Sequence, residues 1–203
     1  MLKFMPHRLF LHLCTIGLLT ACVTPPTGSL SSAPAGVRQA ATFVLAARFS
    51  LSYLPPEAPF DTPPEQYSGR LEWLHDTDTD EVLFLDPLGQ GIARLRREAS
   101  GLTVLKTRDG AQQTAASADQ LLEAALGVPL PFEDLLNWIE ARPGAGALVE
   151  RDAQNRPWRA RTSGWLLTYA YSDAQQHLPA RLEASLDNRL KLRLVIESRE
   201  IQP

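Results

Sequence analysis

Leu83-Phe84-Leu85-Asp86-Pro87-Leu88-Gly89-Gln90-Gly91 is the stretch on which the fold turns. Its first three residues predict a buried apolar strand that ends at Asp86-Pro87. Proline fixes φ at one corner of a turn, and glycine supplies the positive φ at another. A second strand is expected to begin at Ile92, so the segment reads as an antiparallel hairpin. Leu88 is the residue that does not fit. It is a large aliphatic side chain at a turn tip, where Asn, Ser or Gly hydrates at less cost. Two readings are open: Leu88 folds back onto the sheet, or it projects to leave water for something apolar. Single exposed leucines are common, so the turn alone does not choose.

The neighbouring segments continue the period of two. Tyr67, Gly69, Leu71 and Trp73 alternate with Ser68, Arg70 and Glu72, which predicts a strand. Phe49, Leu51 and Tyr53 alternate with Arg48, Ser50 and Ser52, which predicts another. Between these two, Pro55, Pro56, Pro59, Pro63 and Pro64 exclude helix and central strand. Asp76 to Asp80 reads as a solvated acidic turn, since it lacks the glycine and distal glutamate of a calcium loop. Downstream, Leu102 to Lys106 predicts a strand closed by the hairpin signal Arg108-Asp109-Gly110.

Three segments have helical spacing instead. Val37, Ala40, Ala41, Val44 and Leu45 predict a first helix over 37–47. Ser117 with Gln120 resembles a capping box, Leu121, Leu122, Ala125 and Leu126 form an apolar face, and Gly127 is a stop. Phe132, Leu135, Leu136 and Ile139 predict a third helix, ended by Arg142-Pro143-Gly144. From Leu148 onward the alternation returns, through Trp165, Leu167, Tyr169 and Tyr171, then Leu182 to Leu186, then Leu190 to Ile196. The expectation is a mainly β, α+β fold with about nine to eleven antiparallel strands and three helices. No βαβ alternation occurs, so a parallel sheet is not expected.

Charge and cysteine usage narrow the function. The net charge is −3, and the cations Lys3 and Arg8 fall in the leader, so the remainder is more acidic still. No basic block offsets this, which argues against nucleic acid as a partner. The two cysteines are Cys14 and Cys22, so the folded part carries neither disulfide nor thiolate metal site. His75 and His177 lie in polar segments and read as solvated. No nucleophile elbow, phosphate loop or zinc-protease motif is present. Glu133 and Asp134 pair at a helix start, where they suit the helix dipole. The sequence offers no catalytic constellation, metal site or cofactor motif.

Met1 to Arg8 and the apolar run Leu9 to Leu19 form a charged region and a hydrophobic region of signal-peptide length, too short to span a membrane. Leu19-Thr20-Ala21-Cys22 then resembles a bacterial lipobox. Such a signal implies cleavage before Cys22 and diacylglyceryl and acyl modification of that residue. Two or more acyl chains anchor stably, at about 0.8 kcal/mol per buried methylene. Val23 follows, not the aspartate that retains lipoproteins in the inner membrane of enteric bacteria. Residues 22–36 are rich in Pro, Ser, Gly and Thr and read as a flexible lipidated tether. The expected organisation is a signal peptide at 1–21, this tether, and one domain at 37–203.

Several of these features together resemble the LolB family. They are the lipobox at Cys22, the Arg48-Phe49 strand entry, Leu83 to Gly89 ending in Asp-Pro-Leu-Gly, and Gly127-Val128-Pro129-Leu130-Pro131. Leu135, Trp138, Ile139 and Pro143-Gly144 complete the set. The chain departs from the family pattern at Asp86, where Asn is frequent, and at Ala47, where glycine is frequent. The resemblance implies an incomplete, strongly curved antiparallel β-barrel with a helical lid over an apolar cavity. It implies a lipid-anchored protein on the periplasmic face of the outer membrane. Such a protein takes cargo lipoproteins from the periplasmic carrier LolA, holds their acyl chains, and inserts them into the inner leaflet of that membrane. No cofactor or enzymatic step is implied, and a monomer is expected. Under this reading the acyl-chain cavity draws on Phe49, Leu51, Leu71, Trp73, Val82, Phe84, Leu122, Leu135, Trp138, Ile139, Trp165 and Leu167. Tyr67 and Phe132 are further aromatic candidates. Asp86, Pro87, Leu88 and Gly89 form a membrane-insertion loop. The alternative is an envelope stress sensor of related fold that binds mislocalised lipoproteins.

Overall fold

The computed structural model describes residues 42–59 and 61–201. The expected signal peptide, Cys22 and the tether lie outside them. The described residues form one antiparallel sheet of eleven strands in the order β6-β5-β4-β3-β2-β1-β11-β10-β9-β8-β7. The strands are β1 (Phe43–Tyr53), β2 (Glu65–Asp76), β3 (Thr79–Leu85), β4 (Gly91–Arg97), β5 (Thr103–Thr107) and β6 (Gln112–Ala115). The second half contributes β7 (Leu148–Arg151), β8 (Pro157–Thr162), β9 (Trp165–Ala170), β10 (Arg181–Leu186) and β11 (Leu190–Ile201). Each half is a meander of hairpins. The long strands β1 and β11 join the halves along the middle, from Phe43 opposite Ile201 to Tyr53 opposite Leu190.

The sheet does not close. Its edges β6 and β7 are consecutive strands in the sequence, joined through α1 (Ala118–Leu126) and α2 (Phe132–Ile139). The helices therefore occupy the gap that a closed barrel would fill with strand pairing. Ser117 caps α1 by accepting from the Asp119 N–H at 3.1 Å, not through Gln120. Gly127 stops α1 in the left-handed region, at φ 68°. Both α2 ends sit on the sheet: the Phe132 ring stacks on Trp73 at 4.9 Å, and Trp138 lies 5.3 Å from Trp165. β2 and β9 are four steps apart in the sheet, roughly 19 Å if it were flat. Phe132 and Trp138 are separated by roughly 9 Å of helical rise. A sheet curved around α2, together with the length of the aromatic side chains, closes that difference.

Two expectations need correction. The predicted helix over 37–47 is not one where it is described, because residues 43–47 open β1. Phe43, Leu45 and Ala47 face the core at 2%, 1% and 0% exposure, and β1 is flanked by β2 and β11. Tertiary pairing overrides the helical tendency of this alanine-rich stretch. The lid thus has two helices among the described residues. The second correction concerns the acidic turn, of which only Thr77 and Asp78 lie outside the strands. His75 ends the inward series of β2 and Asp80 stands opposite it in β3, both buried at 3% and 1% exposure. His177 does lie in an exposed loop, as expected.

Candidate functional site

The concave face of the sheet and the two helices enclose an apolar cavity of about 240 Å³. Its sheet wall comes from the inward positions of β1 to β5 and β11. Phe49, Leu51, Leu71, Trp73, Val82 and Phe84 all line it, with Leu122 of α1 and Leu135 of α2 on the opposite wall. The remaining four predicted cavity residues do not. Trp138, Ile139, Trp165 and Leu167 are 1%, 1%, 7% and 0% exposed and belong to the solid core under the C-terminal half of α2 and beneath β9. Ile92, Ala93, Leu105, Leu130, Leu192 and Leu194 also line the cavity. Of these, Leu105, Leu192 and Leu194 were legible from the period of two in β5 and β11. Tyr67 and Phe132, the further aromatic candidates, line it too.

The cavity reaches the two strands that flank the Asp86–Gln90 turn. Phe84 and Ile92, on the strands to either side of that turn, both face it. The rim carries the polar pair Tyr67 and Glu65, in which the phenol donates to Oε2 at 2.5 Å.

The turn itself is polar at its base and apolar at its tip. Asp86 Oδ1 accepts from the N–H groups of Leu88 at 3.0 Å and Gln90 at 2.9 Å. The Asp86 and Gln90 main chains close the hairpin, and the Gly89 N–H donates to the Asp86 carbonyl at 2.9 Å. Arg108, from the neighbouring β5–β6 hairpin, donates to Asp86 Oδ2 at 3.1 Å and to the Gly91 carbonyl at 2.8 Å. These contacts hold the Asp86 carboxyl below its usual range. The largest is the Gln90 N–H, opposed by some desolvation and reinforced by Arg108 and the Leu88 N–H. Gly89 adopts φ 82°, which a side chain would strain. Above this base Leu88 makes no return to the sheet: it is 85% exposed, the highest value among the large hydrophobic residues described.

Sequence reading missed a second cluster, at the opposite end of β3. Asp80 Oδ1 receives the Trp73 indole N–H at 2.8 Å and lies 2.8 Å from His75 Nδ1. Its Oδ2 pairs with Arg97 Nη2. Burial pushes the Asp80 carboxyl upward, but the hydrogen bonds from His75 and Trp73 and the charge of Arg97 outweigh it, so the group is held below its usual value. Trp73 lines the cavity, so this cluster fixes one of the cavity's own walls.

The family model for the outer membrane lipoprotein LolB matches residues 42–198 of the chain. The chain belongs to the LolB family. The outer-membrane lipoprotein LolB of Dechloromonas aromatica is 34% identical over 93% of the chain and 95% of that protein. The LolB of Azoarcus sp. is 36% identical over 97% of the chain and 98% of that protein. A LolA superfamily protein from Nitrosomonas europaea superposes with a TM-score of 0.48 at 10% identity, covering 81% of this chain and 87% of that one. That likeness adds nothing to the family assignment. Within the LolB family, the turn with Leu88 and the cavity beneath it are the features on which a reading of function rests.

Proposed function

We propose that the protein receives lipoproteins from the periplasmic carrier LolA, shelters their acyl chains in the apolar cavity, and delivers them to the inner leaflet of the outer membrane. Acylation at Cys22 anchors it there, and it acts as a monomer with no cofactor and no catalytic step. The observation that carries this reading is the juxtaposition at one end of the sheet: an apolar cavity leads to a turn whose tip is an exposed leucine. Acyl chains in water expose apolar surface at roughly 25 cal/mol per Å². Passage therefore runs downhill only along a continuous apolar path, from carrier to cavity to bilayer. Leu88 extends that path beyond the mouth.

The test is a two-step transfer of radiolabelled lipoprotein, from purified carrier to this protein and then to liposomes. Leu88→Glu should accept cargo at the wild-type rate and keep its melting temperature, since surface substitutions move stability by under about 0.5 kcal/mol. It should then fail in delivery, because a carboxylate does not enter the hydrocarbon, whereas a buried leucine gains roughly 1.5–3 kcal/mol there. Delivery at the wild-type rate would refute the role of the turn. Failure of the wild-type protein to accept cargo would refute the whole reading.

A further inference from the structure

The convex face of the sheet takes no part in the cavity, and its charge runs against that of the chain. The net charge is −3, yet along the middle strands the outward positions gather Arg48, Arg70, Arg181, Lys191 and Arg193. These five cations share two carboxylates, Glu183 and Glu197. The carboxylates lie low, with side chains 32% and 28% exposed, whereas the cations are 44–63% exposed. What this face shows to solvent is therefore cationic.

Part of that charge is neutralised by design of the backbone. Arg48 stands directly opposite Arg70 across β1 and β2, which destabilises a sheet when nothing bridges the pair. Glu197 bridges it, 2.9 Å from Arg48 Nε and 2.7 Å from Arg70 Nη2. It is the extra residue of a bulge in β11, since Ala46 pairs with Ser198 and Ala47 with Ile196. Beside this bridge the cations are less well partnered. Arg48, Arg181 and Arg193 stand around Ser50 and Val195 in an open depression of about 370 Å³. Val195 lies between Arg48 and Arg181 in one cross-strand row, and Ser50 is opposite Arg193 in the next row on the same face. Two short side chains thus make the floor and three long cationic ones the rim. Arg181 and Arg193 approach Glu183 with Nε at 3.9 and 3.6 Å, too far for hydrogen bonds. Among the described residues, no hydrogen bond ties up the outer guanidinium nitrogens of these three arginines.

Three guanidinium forks around one small hollow suit a phosphate, whose oxygens they match in pairs. The height of the row says which phosphate. Arg70, next to Arg48, pairs on its other side with Leu85, the last residue of β3 before the Leu88 turn. Leu88 is three residues further on, so its backbone reaches at most roughly 10 Å beyond the row. The headgroup layer of a bilayer is roughly 5–7 Å thick on each side. With Leu88 just inside the hydrocarbon, the arginines stand among headgroups. We infer that Arg48, Arg181 and Arg193 form a phosphate site on the convex face, and that it takes the headgroup phosphate of an anionic lipid while Leu88 is in the bilayer. This rests on the reading of Leu88 as a residue that enters the membrane. A cluster of this many cations at a membrane surface is of the size that selects anionic lipid.

The experiment is arginine labelling with phenylglyoxal, read residue by residue by mass spectrometry, on the full acylated chain in vesicles. The vesicles are of a neutral galactolipid, which carries no phosphate, with and without phosphatidylglycerol. Arg189, exposed in the β10–β11 hairpin at the same end of the sheet as Leu88, is the internal reference. Phosphatidylglycerol should slow labelling of Arg48, Arg181 and Arg193 about five-fold relative to Arg189, the factor given by roughly 1 kcal/mol for each cation at an anionic surface. Ser50→Glu sets a carboxylate on the floor of the hollow and leaves the reporting arginines in place. It should keep the wild-type melting temperature and lose the dependence on phosphatidylglycerol. No slowing in the wild type, or equal slowing at Arg189 from diffuse attraction alone, overturns the site. Equal slowing by millimolar inorganic phosphate in the galactolipid vesicles overturns the lipid as its source. Slowing only when the purified carrier is added gives this face to a protein and overturns the inference. The labelling needs neither cargo nor transfer, so its failure and a failure of delivery are read separately.

Discussion

The two ends of β3 invert the same rule in opposite senses. At one end Leu88, which water disfavours, stands 85% exposed; at the other Asp80, which water favours, is 1% exposed. Both are surrounded by satisfied hydrogen bonds, but these fall on different atoms. At the Leu88 turn they run between the main chain, Asp86 and Arg108, so the loop keeps its shape whatever side chain sits at position 88. At the other end they converge on the carboxylate of Asp80 itself. The difference separates two kinds of exception. A buried charge with every partner present is committed to the fold. An exposed leucine on a base that does not need it is free for another task.

The comparison is broken most sharply at Asp80. Asp80→Ala leaves Arg97 without its buried anion and removes the acceptor for Trp73 and His75. Breaking a buried pair from one side costs roughly 3–5 kcal/mol, a large part of the roughly 5–15 kcal/mol typical of a folded domain. Urea unfolding should show that loss at unchanged m. A loss under about 1 kcal/mol would mean that this end of β3 is as dispensable to folding as Leu88 is held to be.

A smaller effect is expected at the root of the turn. A Cβ on Gly69 would lie 2.2 Å from the Leu85 carbonyl oxygen and 3.0 Å from the Phe49 ring. Leu85 is the last residue of β3 before the turn, and backbone there cannot yield as a side chain tip does. Gly69→Ala should cost about 1–3 kcal/mol, as overpacking does, and lower the melting temperature by a few degrees. An unchanged melting temperature would show that β2 and β3 part easily at this point, and that the turn has a looser root than its hydrogen bonds suggest.

Most of the sheet was legible because a period of two survives wherever one face is buried and the other wet, as in Leu190 to Ile196 and Gly69 to Trp73. The Leu88 turn was legible because Pro87 and Gly89 leave few conformations. The first helix was misread because Ala40, Ala41, Val44 and Leu45 satisfy a period of 3.6, while Phe43, Leu45 and Ala47 satisfy a period of two. Local sequence cannot choose between them; the neighbours β2 and β11 do. The Asp80 cluster was missed for a similar reason. His75 continues the inward parity of Leu71 and Trp73, but its partner Asp80 arrives by cross-strand register from β3, and Arg97 reaches Asp80 from β4. Local polarity suggested only a wet turn. The cavity was over-extended toward Trp138 and Trp165 because core and cavity walls look alike in an apolar alternation; where α2 packs down against the sheet, no space is left.

The finest distinction lies within the Leu88 turn, between its shape and its charge. Asp86→Asn keeps an acceptor for the Leu88 and Gln90 N–H groups but removes the anion that faces Arg108. The turn should hold its form, and delivery of lipoprotein to liposomes should match the wild type at neutral pH. The charge should show in acid. Asp86 has its pKa depressed in the folded protein, so its stabilising contribution is present above the unfolded value of about 3.9 and is lost as pH falls through the lower folded value. Asparagine does not titrate. The wild type should therefore be the more stable of the two at neutral pH, and the two unfolding midpoints should converge as pH falls below about 4. Asp80 is likewise held below its usual value but is common to both proteins, so it drops out of the difference. Midpoints that stay parallel down to the acid unfolding of both proteins would mean that the pairing with Arg108 contributes nothing and that the main-chain hydrogen bonds alone hold the turn.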